Sequence, residues 1–142
     1  MSEETDGTTL VGRVTSGEGR AKGFVSLPGY AEQFREKLGY EPYPGTLNLA
    51  LDEGSVRARP EPGTVDRITI EGWERDGRSF GAVHCSPVRL TVRATGITHE
   101  TAHTIRPERT DHELDTLEIL APVGLRDRYG LVDGDEVSVR AD

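Results

Sequence analysis

Two oxygen-bearing side chains stand two positions apart in the turn-and-strand segment at residues 39–51, which reads GYEPYPGTLNLAL. Because side chains alternate between the faces of a strand, Thr46 and Asn48 are predicted to point one way and the three leucines the other. A hard cation such as Mg²⁺ prefers oxygen ligands, and it takes few from the protein when a phosphate chain supplies others. The spacing therefore predicts a Mg²⁺ site. The alternative is ordinary turn chemistry, in which both side chains bond to their own backbone.

A glycine-rich segment, SGEGRAKG at residues 16–23, lies upstream of this turn. Glycine permits positive φ and close approach, so main-chain N–H groups can converge on anionic oxygens, and Arg20 and Lys22 add positive charge. The segment matches neither a Walker A loop nor a Rossmann turn, because it lacks the residues that open a helix in those motifs. It indicates a phosphate-binding loop. The alternative is a hairpin loop without a ligand. Residues 24–27 are predicted to form a strand.

Short strands separated by turn signals are predicted for most of the remaining chain. The Asp76-Gly77 pair predicts a hairpin, residues 30–38 predict a helix with one apolar face, and the proline-rich residues 53–64 predict a loop. A short helix is predicted just after Pro122. The predicted strands are residues 10–15, 65–73, 79–88, 89–94 and 100–105, one that starts at 117 and one that ends at 139.

This pattern predicts a mainly β fold, a single-domain closed β-barrel with short helical inserts. The chain has 142 residues, enough for one domain with one core. We place that domain at residues 10–142 and predict that residues 1–9 form a disordered acidic tail.

Three segments, in this order, resemble the archaeal CTP-dependent riboflavin kinase family. They are the glycine-rich segment leading into FVSLPGY at residues 24–30, LGYEPYPGTLNL at residues 38–49, and LAPVGLR at residues 120–126 with the later Asp-Gly-Asp turn. The run PYPGTLNL is the specific one. The resemblance extends from about residue 10 to the end, and it implies a barrel of the cradle-loop type. It also implies transfer of the γ-phosphoryl group of CTP to the ribityl hydroxyl of riboflavin, giving FMN and CDP.

The resemblance further implies a role for each site residue. Thr46 and Asn48 would hold Mg²⁺, and Thr110 and Glu118 would contact the flavin. Lys22 is the candidate phosphate cation, and Glu118 is the one carboxylate that the resemblance places near the flavin, so these two are the predicted catalytic residues. The predicted nucleotide contacts come from two segments: Glu18, Gly19, Arg20, Ala21, Lys22, Gly23, Val123, Gly124, Leu125 and Arg126.

The chain is strongly acidic, with 25 Asp and Glu against 17 Lys and Arg and a net charge of −8. This charge disfavours binding to nucleic acids and to anionic membranes. Only Lys22 and Lys37 are lysine, and low lysine with abundant acid is typical of proteins from salt-accumulating halophiles. The alternative is an ordinary acidic protein. We predict that activity requires high salt.

One cysteine, Cys85, excludes an internal disulfide, and no segment resembles a signal peptide or a membrane span. We therefore predict a cytoplasmic protein whose partners are riboflavin, FMN, CTP and CDP, with no nucleic acid, membrane or obligate protein partner. Two other functions compete with the kinase. One is a non-catalytic barrel that senses a flavin or nucleotide. The other is a transcription-factor barrel, which would need a basic face.

The remaining chemically capable residues give weaker patterns. His99 and His103 are four residues apart with no third ligand, so we interpret them as surface histidines rather than a zinc site. The His84-Cys85 pair lacks the orienting partner that a nucleophile needs. Trp73 is predicted to pack on the hairpin rather than on a flavin.

Overall fold

A computed structural model describes residues 9–16, 25–58, 68–107 and 115–141. The described residues contain nine strands: β1 Thr9–Thr15, β2 Leu47–Leu51, β3 Ile68–Ile70, β4 Trp73–Arg75, β5 Arg78–Phe80, β6 Val83–Val92, β7 Thr98–Pro107, β8 Thr116–Leu120 and β9 Glu136–Ala141. They also contain three helices: α1 Pro28–Leu38, α2 Glu53–Ala58 and α3 Leu125–Tyr129. β1 begins one residue before the predicted domain boundary, and the rest of the predicted tail lies outside the described residues. No helix in these ranges is long and apolar enough to span a membrane.

Six of the strands close into an antiparallel barrel in the order β6-β7-β8-β2-β1-β9, and β9 pairs back onto β6. β3 adds to the first part of β6, while β4 and β5 form a separate two-stranded ribbon. Closure leaves few unpaired strand edges, which is one way in which β proteins avoid edge-to-edge association. The predicted closed barrel with helical inserts is confirmed.

The barrel interior is filled by alternating apolar side chains, and β2 shows how. Leu47, Leu49 and Leu51 are buried, whereas Asn48 is half-buried and Ala50 is exposed. The predicted assignment of faces is therefore confirmed: the leucines enter the core that the barrel strands share, and Asn48 lies on the outer face.

A second core lies outside the barrel, between α1 and the strands β3, β6 and β7. Tyr30 and Phe34 of α1 are buried in it beside Ile70, Cys85 and Ile105. The ring of Trp73 stacks on that of Phe80 with centroids 4.2 Å apart, so Trp73 packs on the hairpin as predicted.

Helix α1 begins at Pro28 and covers the predicted helix at residues 30–38. The prediction of a strand at residues 24–27 is wrong for residues 25–27, which form no strand, while residue 24 lies outside the described residues. The reason is the proline: Pro28 suits the first turn of a helix, and the carbonyl of Leu27 accepts from the N–H groups of Tyr30 and Ala31.

The predicted loop at residues 53–64 begins instead with helix α2. The Asp52 carboxylate accepts from the N–H of Ser55 at 2.8 Å and caps the helix. The hydroxyl of Ser55 in turn accepts from the N–H of Val11 in β1 at 2.8 Å, which ties the helix to the barrel. The prolines in this segment indicate a loop, whereas Asp52, a residue type that commonly caps helix N-termini, is the local signal for a helix start.

The predicted hairpin at Asp76-Gly77 is confirmed, with φ of 52° and 77° at the two turn residues. The predicted strand break between residues 88 and 89 is wrong, because β6 runs unbroken from Val83 to Val92 with a bulge near Val88. Within the described strands, Pro87 falls between the part of β6 that pairs with β3 and the part that pairs with β9. On its other edge Pro87 is in register with His103 of β7, so β6 is open on one side only at this point, and proline is tolerated at such an edge position.

Replacing Gly29 by alanine is expected to destabilise the protein by about 1–3 kcal/mol. A Cβ atom at this position would overlap three ring atoms of Trp73, so α1 and the hairpin would have to separate. Urea unfolding of the variant measures the loss. Gly54→Ala is the matched control, because the nearest atom to its new Cβ is 3.8 Å away. Equal stability of Gly29→Ala and the parent would contradict this account of helix docking.

Candidate functional site

The polar residues predicted to hold a cation are brought together with the predicted catalytic carboxylate across β2 and β8. Asn48 lies directly opposite Glu118 in the antiparallel register, and both side chains are half-buried on the outer face of the barrel. The Thr46 hydroxyl donates to Glu118 Oε1 at 3.2 Å. On the other side of β2, Asn48 is opposite Thr15, the last residue of β1. Thr46 just before β2, Asn48 in β2 and Glu118 in β8 therefore form one oxygen-bearing cluster, with Thr15 at the end of β1 beside it.

A pocket of about 230 Å³ opens beside this cluster, at the ends of β2 and β8. Thr46 lines it together with all four residues of the predicted C-terminal nucleotide segment. The full lining comprises Tyr43, Gly45, Thr46, Leu47, Ile119, Ala121, Val123, Gly124, Leu125, Arg126 and Asp127. The structure thus places Thr46 and residues 123–126, which are far apart in the chain, in one concave surface, while Asn48 and Glu118 lie beside it rather than in its lining.

Tyr43 forms one wall of this pocket and packs against Gly124. A Cβ atom built on Gly124 would lie 2.9 Å from Cζ of the Tyr43 ring and 3.0 Å from Cε1, so glycine is what allows the ring to approach. The main chain of Tyr43 is fixed as well, since its N–H donates to the carbonyl of Ala121 at 2.8 Å. The ring itself is 43% exposed, an unusual state for a large apolar side chain, and it faces the pocket.

Arg126 supplies positive charge at the pocket. It lies at the start of α3, and its Nη1 donates to Asp133 Oδ1 at 2.9 Å. Ser16, which directly follows β1, donates its hydroxyl to the same carboxylate. The hydrogen bonds from Arg126 and then from Ser16 hold the pKa of Asp133 below its usual range. The carboxylate is therefore ionised at neutral pH, and the end of β1 is joined to the pocket.

A buried polar pair lies one strand further along the sheet. His103 is paired with Leu120 in β8, and its Nδ1 is 2.9 Å from the hydroxyl of Tyr40, which also donates to the carbonyl of Leu120. Burial, with a smaller contribution from Cys85, raises the pKa of Tyr40, so the phenol stays protonated. The interpretation of His103 as a surface histidine is wrong, because the imidazole is buried, whereas His99 is half-buried and bonds to Tyr129.

Several predicted site residues lie outside the described residues. These are Thr110 and the glycine-rich set Glu18, Gly19, Arg20, Ala21, Lys22 and Gly23. Their predicted contacts with flavin and phosphate stay predictions. The described residue that precedes the glycine-rich set is Ser16, whose hydroxyl is bonded to the Asp133 carboxylate.

The donor set at the cluster suits a hard cation. Thr46, Asn48 and Glu118 offer hydroxyl, amide and carboxylate oxygens, the ligand type that Mg²⁺ prefers. The described residues contain no group of three or more His, Cys, Asp and Glu that could hold a metal ion. A cation at this cluster would therefore have at most one protein carboxylate, Glu118, beside the two neutral oxygens, and would depend on oxygens that the ligand brings with it.

The sequence prediction missed the Tyr43 wall and Asp127 in the pocket lining, and it missed the Asp133 carboxylate, which bonds Arg126 from outside that lining. Tyr43 lies inside the most specific motif, PYPGTLNL, and is flanked by two prolines, so its position next to Thr46 was the available signal. No local pattern indicates that Asp133 faces Arg126 and Ser16, because 117 positions separate Asp133 from Ser16.

Comparison with known proteins identifies the family to which the chain belongs. Residues 14–141 match the family model CTP-dep_RFKase, described as domain of unknown function DUF120. The chain is 47% identical over 140 residues to a riboflavin kinase of Halobacterium salinarum, an alignment that covers 99% of this chain and 59% of that protein. It is 47% identical over 131 residues to a riboflavin kinase of Haloquadratum walsbyi, covering 92% and 55% of the two proteins.

A riboflavin kinase of Archaeoglobus fulgidus is 43% identical over 137 residues, covering 96% of this chain and 56% of that protein. The chain thus spans a little over half the length of the curated relatives it matches. The Halobacterium and Haloquadratum sources of two relatives fit the prediction of a protein adapted to high salt.

Proposed function

Because the chain belongs to the CTP-dep_RFKase family, we propose that it transfers the γ-phosphoryl group of CTP to the terminal ribityl hydroxyl of riboflavin, giving FMN and CDP. One observation carries the proposal: the Thr46–Glu118 hydrogen bond joins the predicted cation ligands to the predicted flavin carboxylate, beside a pocket lined by residues 123–126. Acceptor, cation and nucleotide sites are then contiguous, as a direct transfer requires.

The pocket suits the nucleoside part of the nucleotide. Its walls are the Tyr43 ring and main-chain groups at Val123 and Gly124, and Arg126 supplies positive charge for the phosphates. The glycine-rich segment, with Lys22 as its cation, would bind the phosphates through main-chain N–H groups. Ser16, the first residue of that segment, is bonded to the Asp133 carboxylate, which also binds Arg126. This shared partner supports a nucleotide site formed by both the glycine-rich segment and residues 123–126.

Phosphoryl transfer demands little covalent chemistry from the protein, so positioning and electrostatics carry the catalysis. Holding the hydroxyl in line with the phosphorus atom can supply roughly 7–11 kcal/mol of the barrier as avoided entropy loss. Glu118 would orient the ribityl hydroxyl and accept its proton. The Thr46 hydroxyl is the hydrogen-bond donor to Glu118, so the lone pairs of the Thr46 oxygen stay free for a cation.

A divalent cation, which we propose to be Mg²⁺, would be held by Thr46 and Asn48 and would neutralise charge that develops on the phosphate oxygens. The strand pairing of Asn48 and the hydrogen bond of Thr46 support a site that is formed before the ligand binds. Asn48 is in the middle of a paired strand, and Thr46 directly precedes that strand and is bonded to Glu118.

The test is to incubate the purified chain with riboflavin, Mg²⁺ and each nucleoside triphosphate in turn at molar KCl, and to separate the flavins by chromatography. CTP is expected to give FMN and CDP in equal amounts, and ATP, GTP and UTP much less. Removing Mg²⁺ with a chelator should stop the reaction. Binding of riboflavin or CTP with no FMN formed would instead favour the non-catalytic sensor, and full activity in dilute buffer would contradict the predicted need for high salt.

Replacing Gly124 by alanine is expected to raise the KM for CTP several-fold while the KM for riboflavin stays unchanged. The new methyl group would displace the exposed Tyr43 ring and change the shape of the pocket at little cost to the fold. Steady-state kinetics with either substrate varied measure the effect. Gly54→Ala, in α2 and outside the pocket lining, controls for the general effect of adding a methyl group. An unchanged KM for CTP in Gly124→Ala would remove the Tyr43 wall from the nucleotide site.

A further inference from the structure

Asp133 lies in the turn before β9, and main-chain hydrogen bonds fix that turn to the end of β1. The N–H of Gly134 donates to the carbonyl of Val14 at 2.8 Å, and the N–H of Val14 donates to the carbonyl of Asp135 at 2.8 Å. The Asp135 carboxylate closes the turn by accepting from the N–H of Val132 at 2.9 Å. The Asp133 side chain therefore projects from an anchored main chain.

The Asp133 carboxylate joins two elements that are distant in sequence. Its Oδ1 accepts from Arg126 Nη1 at 2.9 Å, and the hydroxyl of Ser16 lies 3.0 Å from Oδ1 and 2.9 Å from Oδ2. A hydroxyl has one proton, so Ser16 serves one of these oxygens at a time. The carboxylate thus connects the start of α3 to the residue that follows β1.

The ion pair has little to do with holding the fold together. The side chains of Arg126 and Asp133 are 40% and 58% exposed, and exposed pairs contribute little to stability. Its effect is on the conformation of Arg126. A free arginine side chain samples many rotamers and must lose that freedom when it binds a ligand, which weakens binding. Asp133 restricts the side chain in advance and engages Nη1, which leaves the other guanidinium donors for a ligand.

We propose that Asp133 is a positioning residue for the nucleotide. It holds the Arg126 guanidinium at the pocket and connects it, through Ser16, to the strand end from which the glycine-rich segment continues. The inference rests on the proposed function, because it takes Arg126 to be a nucleotide contact. It adds a role for a residue that neither lines the pocket nor belongs to the predicted site.

The test compares Asp133→Ala with the parent in two assays, steady-state FMN formation and equilibrium binding of CDP. We expect the KM for CTP and the Kd for CDP to rise on the order of tenfold, the size of one charge-assisted hydrogen bond. The KM for riboflavin and the unfolding midpoint should not change. Glu136→Ala is the matched control: it removes a carboxylate paired with Arg13 and Arg93, in the next strand and outside the pocket lining.

A second comparison separates positioning from direct contact. If Asp133 acts through Arg126, adding Asp133→Ala to Arg126→Ala should change the Kd for CDP by less than about twofold. The inference is overturned if the two effects add fully, if Asp133→Ala leaves CDP binding unchanged, or if it tightens binding, since tightening would mean that Asp133 competes with the nucleotide for Arg126. A parent chain that binds CDP but forms no FMN would overturn the proposed function alone, because CDP binding still tests Asp133.

Discussion

Replacing Asn48 by alanine is expected to lower the turnover number for FMN formation by at least about 100-fold, because losing even an outer-shell partner of a metal ligand costs roughly 10–100-fold and Asn48 is a proposed direct ligand. Asn48 lies on the outer face of β2, opposite Glu118 and two residues from Thr46, so its loss removes one of two proposed cation ligands. The fold should not suffer. The side chain is half-buried and outside the barrel core, where substitutions usually change the free energy of unfolding by no more than about 0.5 kcal/mol.

The measurement is the rate of FMN formation at saturating riboflavin and CTP, with Mg²⁺ varied, together with the urea midpoint of each protein. Thr91→Ala is the matched control, because it also shortens a polar side chain on a barrel strand, and β6 does not pair with β2. If the loss is in cation binding, Asn48→Ala should regain part of its rate at much higher Mg²⁺ concentration. Parent-like turnover in Asn48→Ala would refute the cation assignment.

Replacing Leu49 by alanine is expected to destabilise the protein by about 2–5 kcal/mol, the cost of truncating a leucine in a packed core. Leu49 is fully buried and is paired with Val14 on one side and Leu117 on the other, which are themselves buried. A side chain at the centre of three paired strands has few ways to collapse the cavity that it leaves.

Urea unfolding at molar KCl measures this loss. Val132→Ala is the comparison, because Val132 is 59% exposed and its truncation should change the free energy of unfolding by no more than about 0.5 kcal/mol. Any activity that Leu49→Ala retains at low temperature should have a nearly normal KM for both substrates, because its side chain faces away from the site. A Leu49→Ala protein as stable as the parent would show that the buried leucine face of β2 does not contribute to the stability of the barrel core.

The two faces of β2 were predictable from the sequence because strand geometry alone decides them. Once residues 47–51 form a strand, side chains two apart must share a face, and only the leucines can enter an apolar core. The same local logic held for the apolar stripe of α1 and for the Asp76-Gly77 turn. It failed where two local signals competed: Pro28 begins a helix directly after residues predicted as strand, and Asp52 caps a helix in a segment whose prolines indicated a loop.

The candidate site also combines features that local sequence predicts with features that depend on the fold. The spacing of Thr46 and Asn48 is a local feature that the sequence shows directly. Residues 123–126 could be predicted as site residues only through the resemblance to a family. That Glu118 lies opposite Asn48, 70 positions earlier in the chain (118 − 48), depends on the register between β2 and β8, which no local pattern sets. For His103, the lack of a third ligand beside His99 favoured a surface histidine, but the residue is buried, and its hydrogen-bond partner Tyr40 comes from the turn after α1.

The sequence by itself determined the alternation of apolar and polar side chains, the turns, the acidic surface and the oxygen pair at Thr46 and Asn48, because each depends on residues close together in the chain. Tertiary structure alone decided that the barrel closes through β6 and β9, that Tyr43 packs on Gly124, and that Asp133 meets both Arg126 and Ser16. Those contacts join residues far apart in sequence, and their positions are set by the closed pairing of all six barrel strands rather than by any one segment.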